Sequence, residues 1–498
     1  MRNLCVLGLV LATGCGLFDD GDDANNNDGG HGDDGGGDDG GGGDILSRLN
    51  ALPGVTATEK TPSQAPAGYR YFQLEFTQDI NHLEPTDGTF TQEVSLIHKD
   101  TTSPMMAVTT GYDDYIRDAA AEPTLLLGAN QISIEHRYFG TSYPAHPDWQ
   151  FCTVKQMADD EHLIISELQT IYKGKWVTTG ASKGGMTAVF EHRFYPDDAA
   201  GTLAYVAPLS NNIPDVRYAA LYTHADDGTS CRAHVRAFAT DLLHNRRAAL
   251  VTRATTQASE DGYQYTRIAI APAVESAVRD LEWTFWQYYG EQFCSMVPTD
   301  PTTLSDDDAF ALLDSVSPIS FSADDSTEEF QSYFMQAYEE LGSPGLVDVR
   351  GDYSPQYLDQ YVQYVGSDYS GTFPVGVSSP EFDPTVMADI DSYVSSSSSS
   401  HYIFIYGEYD PWSLGEFHLG SSTDSMLATV PMGTHGSGLT EIGSSDQTQA
   451  FGKLATWTGV TPDPSQLSRA VVPPRLLGDP RDPRVMHAIK ARRAAGGW

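Results

Sequence analysis

Positive charge is scarce in this sequence. Only 29 Lys and Arg residues stand against 68 Asp and Glu in a chain of 498, a formal net charge of −39. A surface this acidic repels nucleic-acid phosphates and anionic lipid headgroups, which excludes both as direct partners. Cysteine is scarce as well, five in all. No C-x-x-C pair and no His/Cys cluster appears, so no metal and no cofactor are expected. The G-x-x-x-x-G-K spacing of a phosphate-cradling loop is absent too. The N-terminal apolar run, Leu4 to Leu11, is too short to cross a bilayer as a helix. No internal repeat is visible.

What is present is enough for a large core, with 40% hydrophobic and 11% aromatic residues. The start, "MRNLCVLGLVLATGCG", has one basic residue, Arg2, then the apolar run, then small residues, which reads as an export signal. Cys15 follows Ala-Thr-Gly and resembles the lipobox cysteine that is acylated and becomes a new N-terminus; ordinary cleavage after Gly14 is the alternative. Residues 16–44 hold no Lys or Arg and almost nothing apolar, so they read as an extended, acidic, Gly-rich tether. "DANNNDG" within it looks like part of a calcium loop, but no Glu closes a twelve-residue frame. The chain is therefore expected to be exported and to touch a membrane only through a lipid anchor at Cys15, or to be secreted without one.

Past the tether, "GYRYFQLEFTQDI" and "GTFTQEVSLIHKD" alternate as antiparallel strands would. "MMAVTT", "QISIEH" and "KWVTT" are short, apolar and β-branched, like buried parallel strands. Between the last two, Met157, Leu163, Ile164, Leu168 and Ile171 recur at helical spacing. Strand, helix, strand, helix is an α/β pattern. From 215 to 382 the signal turns helical, then "YIFIY" and "MLATV" return to strand and a helix follows over about Ser445 to Thr458. The organisation expected is a signal at 1–15, a tether at 16–44, an α/β core at 45–214 and 383–465 interrupted by a helical cap at 215–382, and a Pro/Arg-rich tail at 466–498.

"GASKGG" stands where "KWVTT" hands over to "MTAVFEHRFYP". A serine between two glycines, strand before and helix after, fits a nucleophile elbow that lifts the Ser182 hydroxyl above a sheet and offers the Lys183 N–H to an oxyanion. A glycine-rich turn without chemistry is the plain alternative. A serine needs a base, and the base an orienting acid. The order Ser, acid, His is met by Asp410 after "YIFIYGEY" and His435 after "MLATVPMGT", with Glu408 the rival acid and His401 and His418 the rival bases. The second oxyanion donor is placed at the Tyr112 N–H in "TTGYDD".

The strings "GYRYFQLEF", "EHRYFGTSYP", "DWQFCTVKQMADDEH", "GASKGGMTAVFEHRFYPDD" and "YGEYDPWS" resemble the exported bacterial prolyl tri/tetrapeptidyl aminopeptidases, over about residues 45–460. That resemblance implies an α/β-hydrolase fold with a helical cap insertion, and a serine peptidase, monomeric here by expectation. It also implies release of short peptides from free N-termini, often after proline. It implies Ser182 as nucleophile, Asp410 as acid, His435 as base and a Cys231–Cys294 bond in the cap, which spacing alone leaves open against Cys152. Trp283, Phe285, Trp286 and Tyr288 are either a pocket for a proline ring or plain core. The substrate ammonium needs carboxylates, and Glu135 and Glu408 are candidates, Glu135 alternatively being a partner for Arg137. A carboxylesterase with the same triad, or a non-catalytic binding module on this scaffold, are the competing functions.

Overall fold

Strands rich in β-branched and aromatic residues build one nine-stranded sheet: β1 (Val55–Lys60), β2 (Arg70–Asp79), β3 (Thr89–His98), β4 (Met105–Thr109), β5 (Asn130–Ile134), β6 (Trp176–Ala181), β7 (Thr202–Tyr205), β8 (Tyr402–Gly407) and β9 (Met426–Val430). The computed structural model describes residues 43–223, 230–344, 355–365 and 371–469. The signal, Cys15, nearly all of the tether and the tail from residue 470 lie outside them. The tether's last residue, Asp44, belongs to the folded body instead: it caps the first helix through the Leu46 N–H and pairs with Arg70 at 2.8 Å.

The order across the sheet is β1-β2-β3-β5-β4-β6-β7-β8-β9. β1, β2 and β3 are antiparallel, with Arg70 opposite His98 and Asp79 opposite Thr89 in the β2–β3 ladder, and β3 pairs antiparallel with β5. From β5 onward every pair is parallel. The central parallel strands are buried on both faces, all five residues of β4 and of β5 included, as helix-covered parallel strands must be, while the edge strand β9 exposes Thr429. β1 and β7 are the strands that residue pattern did not announce. β1 is an edge strand in which only Val55 and Ala57 turn inward, and β7 has only four residues.

Helices α1 (Ile45–Leu49), α2 (Glu122–Leu127), α3 (Val154–Gln169) and α4 (Lys183–Phe194) precede the cap, and α11 (Pro384–Val394) and α12 (Ser444–Thr458) follow it. α3 starts where the Thr153 hydroxyl accepts the Gln156 N–H, and it buries Val154, Met157, Ile164, Ile165 and Leu168. Between β7 and β8 lie α5 (Ala220–Thr223), α6 (Ser230–Asn245), α7 (Arg247–Asp261), α8 (Ile270–Tyr288), α9 (Asp306–Val316) and α10 (Asp324–Gln336). α5 to α9 have a hydrophobic core of their own, with Phe238, Leu242, Val278, Phe285 and Leu313 at its centre, while α10 packs Phe330 against Tyr112 and Phe139. A disulfide joins Cys231 of α6 to Cys294, just past α8, and Cys152 is a buried free thiol. Six parallel strands with crossover helices and a helical insertion before the penultimate strand form the α/β-hydrolase fold. Its site is expected where β4 has β5 on one side and β6 on the other, beyond the strands' carboxyl ends.

Candidate active site

The run that ends β6 stops at Ala181, and Ser182 turns the chain into α4 with φ 56° and ψ −127°. That left-handed backbone costs a non-glycine residue about 1–3 kcal/mol and persists only when its surroundings enforce it. Here they do. The Ser182 N–H donates to the Tyr205 carbonyl at 2.9 Å, and its carbonyl accepts the Met186 N–H at 2.9 Å. The flanking glycines are dictated by space, since a Cβ on Gly180 would sit 2.4 Å from the Gly184 carbonyl oxygen and one on Gly184 would sit 2.3 Å from that of Thr109. The G-x-S-x-G spacing thus follows from how tightly the turn packs on β4.

His435 follows β9, and Asp410 follows β8. The Nδ1 atom of His435 lies 2.6 Å from Oδ2 of Asp410, and both side chains are fully buried. With the carboxylate on Nδ1, the Nδ1 proton is fixed there and Nε2 is the basic nitrogen. The other Asp410 oxygen accepts the Trp412 N–H at 3.1 Å and so caps the turn Pro411–Gly415, which fixes the acid from its own loop. The His435 backbone N–H donates to the Gln287 carbonyl, 2.7 Å away on α8, so the cap holds the base loop. Gly180 and Ala181, the residues just before Ser182, line a cavity of about 250 Å³ together with Tyr205, Glu122, His435 and Ser437. The rivals lie elsewhere: His401 pairs with Asp424, and His418 is exposed near Asp391.

Glu408 is exposed and accepts the Met432 N–H at 2.7 Å, so it braces the turn before His435 and has no bond to the imidazole. Glu135 is buried. It accepts the Asp114 N–H at 2.9 Å and four more bonds from the amides and hydroxyls of Thr141 and Ser142. Burial pushes its carboxyl up to about 8, against those donors. Arg137 is not its partner: that guanidinium forks onto Asp160 at 2.6 and 2.7 Å. The Tyr112 N–H runs back to the Thr110 hydroxyl at 3.3 Å, a long bond within its own loop.

The aromatic run on α8 divides. Phe285 is core, edge-on to Trp286 and stacked on Tyr289. Trp283 meets Trp412 at 5.2 Å, Trp286 meets Tyr409 at 5.4 Å, and Tyr288 stands edge-on to the His435 ring at 6.1 Å. The run is a seam joining cap to acid and base loops, and none of the four lines the cavity beside His435. Among the described residues no group of three His, Cys, Asp or Glu could hold a metal ion, nor is any helix long and apolar enough to cross a membrane.

The family described as PS-10 peptidase S37 matches residues 39–484. The chain belongs to that family. It is 33% identical over 449 residues to a Streptomyces mobaraensis protein named prolyl tri/tetrapeptidyl aminopeptidase, covering 89% of this chain and 91% of that one. It is 28% identical over 193 residues to a Caenorhabditis elegans protein described as a serine protease, covering 35% and 34% of the two chains. A proline iminopeptidase structure from Mycobacterium smegmatis covers 77% of this chain and 98% of its own, at 14% identity and a TM-score of 0.33. The S37 chain is thus a serine peptidase. Three features of its site had no local signal in the sequence: the Gln287 carbonyl behind His435, the five donors around Glu135, and the side chain of Lys183.

Proposed function

We propose that this S37 peptidase removes tri- and tetrapeptides from free N-termini, often after proline, through an acyl-enzyme on Ser182. The relative's name supports the substrate class. The observation that carries the mechanism is the buried 2.6 Å bond between His435 and Asp410, taken with a serine held at φ 56° at the turn from β6 into α4. In this reading Nε2 of His435 takes the Ser182 proton as Oγ attacks the scissile carbonyl, and then returns it to the departing amine. Asp410 stabilises the imidazolium. The N–H of Lys183, at the first turn of α4, and that of Tyr112 receive the oxyanion, substrate displacing the long Thr110 contact. Water, activated by His435, then frees the short peptide.

The substrate ammonium requires a carboxylate, because a desolvated charge left unpaired is costly. Glu135 has its oxygens committed to five donors, so Glu408, at the exposed end of β8, is the stronger of the two candidates. Export, acylation of Cys15 and a monomeric state belong to the same proposal and rest on the sequence of the N-terminus and on composition. The test compares Ala-Ala-Pro-nitroanilide with its N-acetylated twin and a simple nitrophenyl ester. Cleavage of the free-amine peptide alone is expected. Turnover of the ester alone would replace the peptidase reading with an esterase.

A further inference from the structure

The Lys183 ammonium is buried, 2% of the residue being exposed. It donates to the Gly111 carbonyl at 2.6 Å and lies 5.5 Å from the centre of the Tyr112 ring and 5.1 Å from that of Phe139. Two penalties attach to a cation here. Desolvation is costly unless compensated, and the first turn of a helix repels positive charge. The carbonyl and the two ring faces offset part of this. A cation placed at the start of α4 invites the question of what its position achieves.

The answer lies in which carbonyl it grips. The Gly111 C=O and the Tyr112 N–H are the two ends of one planar trans peptide, so fixing the carbonyl fixes the direction of the N–H on the opposite side. A cation on the oxygen also polarises the amide and makes its N–H a stronger donor. The loop has no slack. Gly111 has φ +73°, and a Cβ there would lie 2.5 Å from the Gly184 nitrogen and 2.7 Å from the Lys183 carbonyl carbon. The ammonium's field reaches further into the loop after β5: the His136 imidazole is held well below its ordinary value, by burial first and Lys183 second.

We propose that Lys183 acts twice in the oxyanion hole, through its own N–H and, as a positioning residue, through an ammonium that aims and strengthens the Tyr112 N–H across the Gly111–Tyr112 peptide. This rests on the reading of Ser182 as nucleophile. The test uses the full chain with Lys183→Met, which keeps length and loses the cation, and Lys183→Arg, which keeps the cation. Three quantities are read: kcat and KM on Ala-Ala-Pro-nitroanilide, affinity for a peptide boronic acid whose tetrahedral serine adduct places an oxygen in the hole, and affinity for the product Ala-Ala-Pro. Lys183→Met is expected to lower kcat and boronate affinity by about 10- to 100-fold, short of the 10²–10³ for deleting a donor outright, with KM and product affinity within about threefold. Lys183→Arg should recover part of the loss. Unchanged boronate affinity, or an equal loss of boronate and product binding, overturns the proposal. If Lys183→Met fails to fold, Lys183→Arg decides alone, since its shifted fork must weaken boronate more than product. Full activity in Ser182→Ala would instead remove the nucleophile reading beneath it.

Discussion

Asp410 is asked to do two jobs with two oxygens, one toward His435 Nδ1 and one toward the Trp412 N–H. Asp410→Asn keeps the shape but removes the charge that favours the Nδ1–H tautomer, so kcat should fall about 10⁴-fold while circular dichroism stays native. A fall below tenfold would mean that another acid orients the base. Glu135 illustrates a residue whose type was legible and whose role was not. A carboxylate at a strand end beside the site looks like an ammonium partner, yet it ties the Asp114 amide, in the loop after β4, to Thr141 and Ser142 after β5. Glu408→Gln, by contrast, should raise KM for the free-amine peptide about tenfold or more and leave ester turnover intact. Equal effects on both substrates would return Glu408 to a purely local role at Met432.

Between α3 and α4 two further carboxyls are buried, Glu161 and Glu191, and neither oxygen of Glu191 meets a donor among the described residues. Burial, then the nearby charges of Asp198 and Glu161, pushes Glu191 well above its ordinary range. A carboxyl raised in the fold keeps a proton that the unfolded chain gives up, so stability falls as pH climbs past the ordinary carboxylate value. Glu191→Gln removes this titration, and its gain in Tm should be larger at pH 8 than at pH 5. A gain independent of pH would contradict the sign. In the cap, Cys231→Ala with Cys294→Ala opens a loop with a sequence separation of 63, worth about 4 kcal/mol by chain entropy. Because α8 also carries the Gln287 carbonyl that holds His435, kcat should drop with Tm. These elements also mark what residue order discloses. Five of the six parallel strands, and the loops that carry Asp410 and His435, were legible because each is announced locally, by a short apolar run and a glycine. The pairing of Lys183 with Gly111, or of His435 with Gln287, joins residues 72 and 148 positions apart, and no local pattern encodes it. Strand β1 escaped for a plainer reason, since an edge strand with two inward residues has almost no period to detect.

At the scale of the whole molecule, the net charge of −39 acts in two opposite directions. It pushes the folded body against itself, and it raises the local concentration of cationic ligands. The proposed substrates carry an ammonium, so the field that weakens the fold favours capture. Salt separates the two effects, since the Debye length shrinks from about 30 Å at 0.01 M to about 3 Å at 1 M. Over that range Tm should rise as self-repulsion is screened. Meanwhile kcat/KM for Ala-Ala-Pro-nitroanilide, net charge +1, should fall on the order of tenfold, while that for Glu-Ala-Pro-nitroanilide, net charge zero, should stay nearly level. A parallel fall for both peptides would place the salt effect on the enzyme and not on encounter. A flat response for both would confine the acidic surface to a role in keeping the chain dispersed, and leave recognition of the free N-terminus to contacts inside the site.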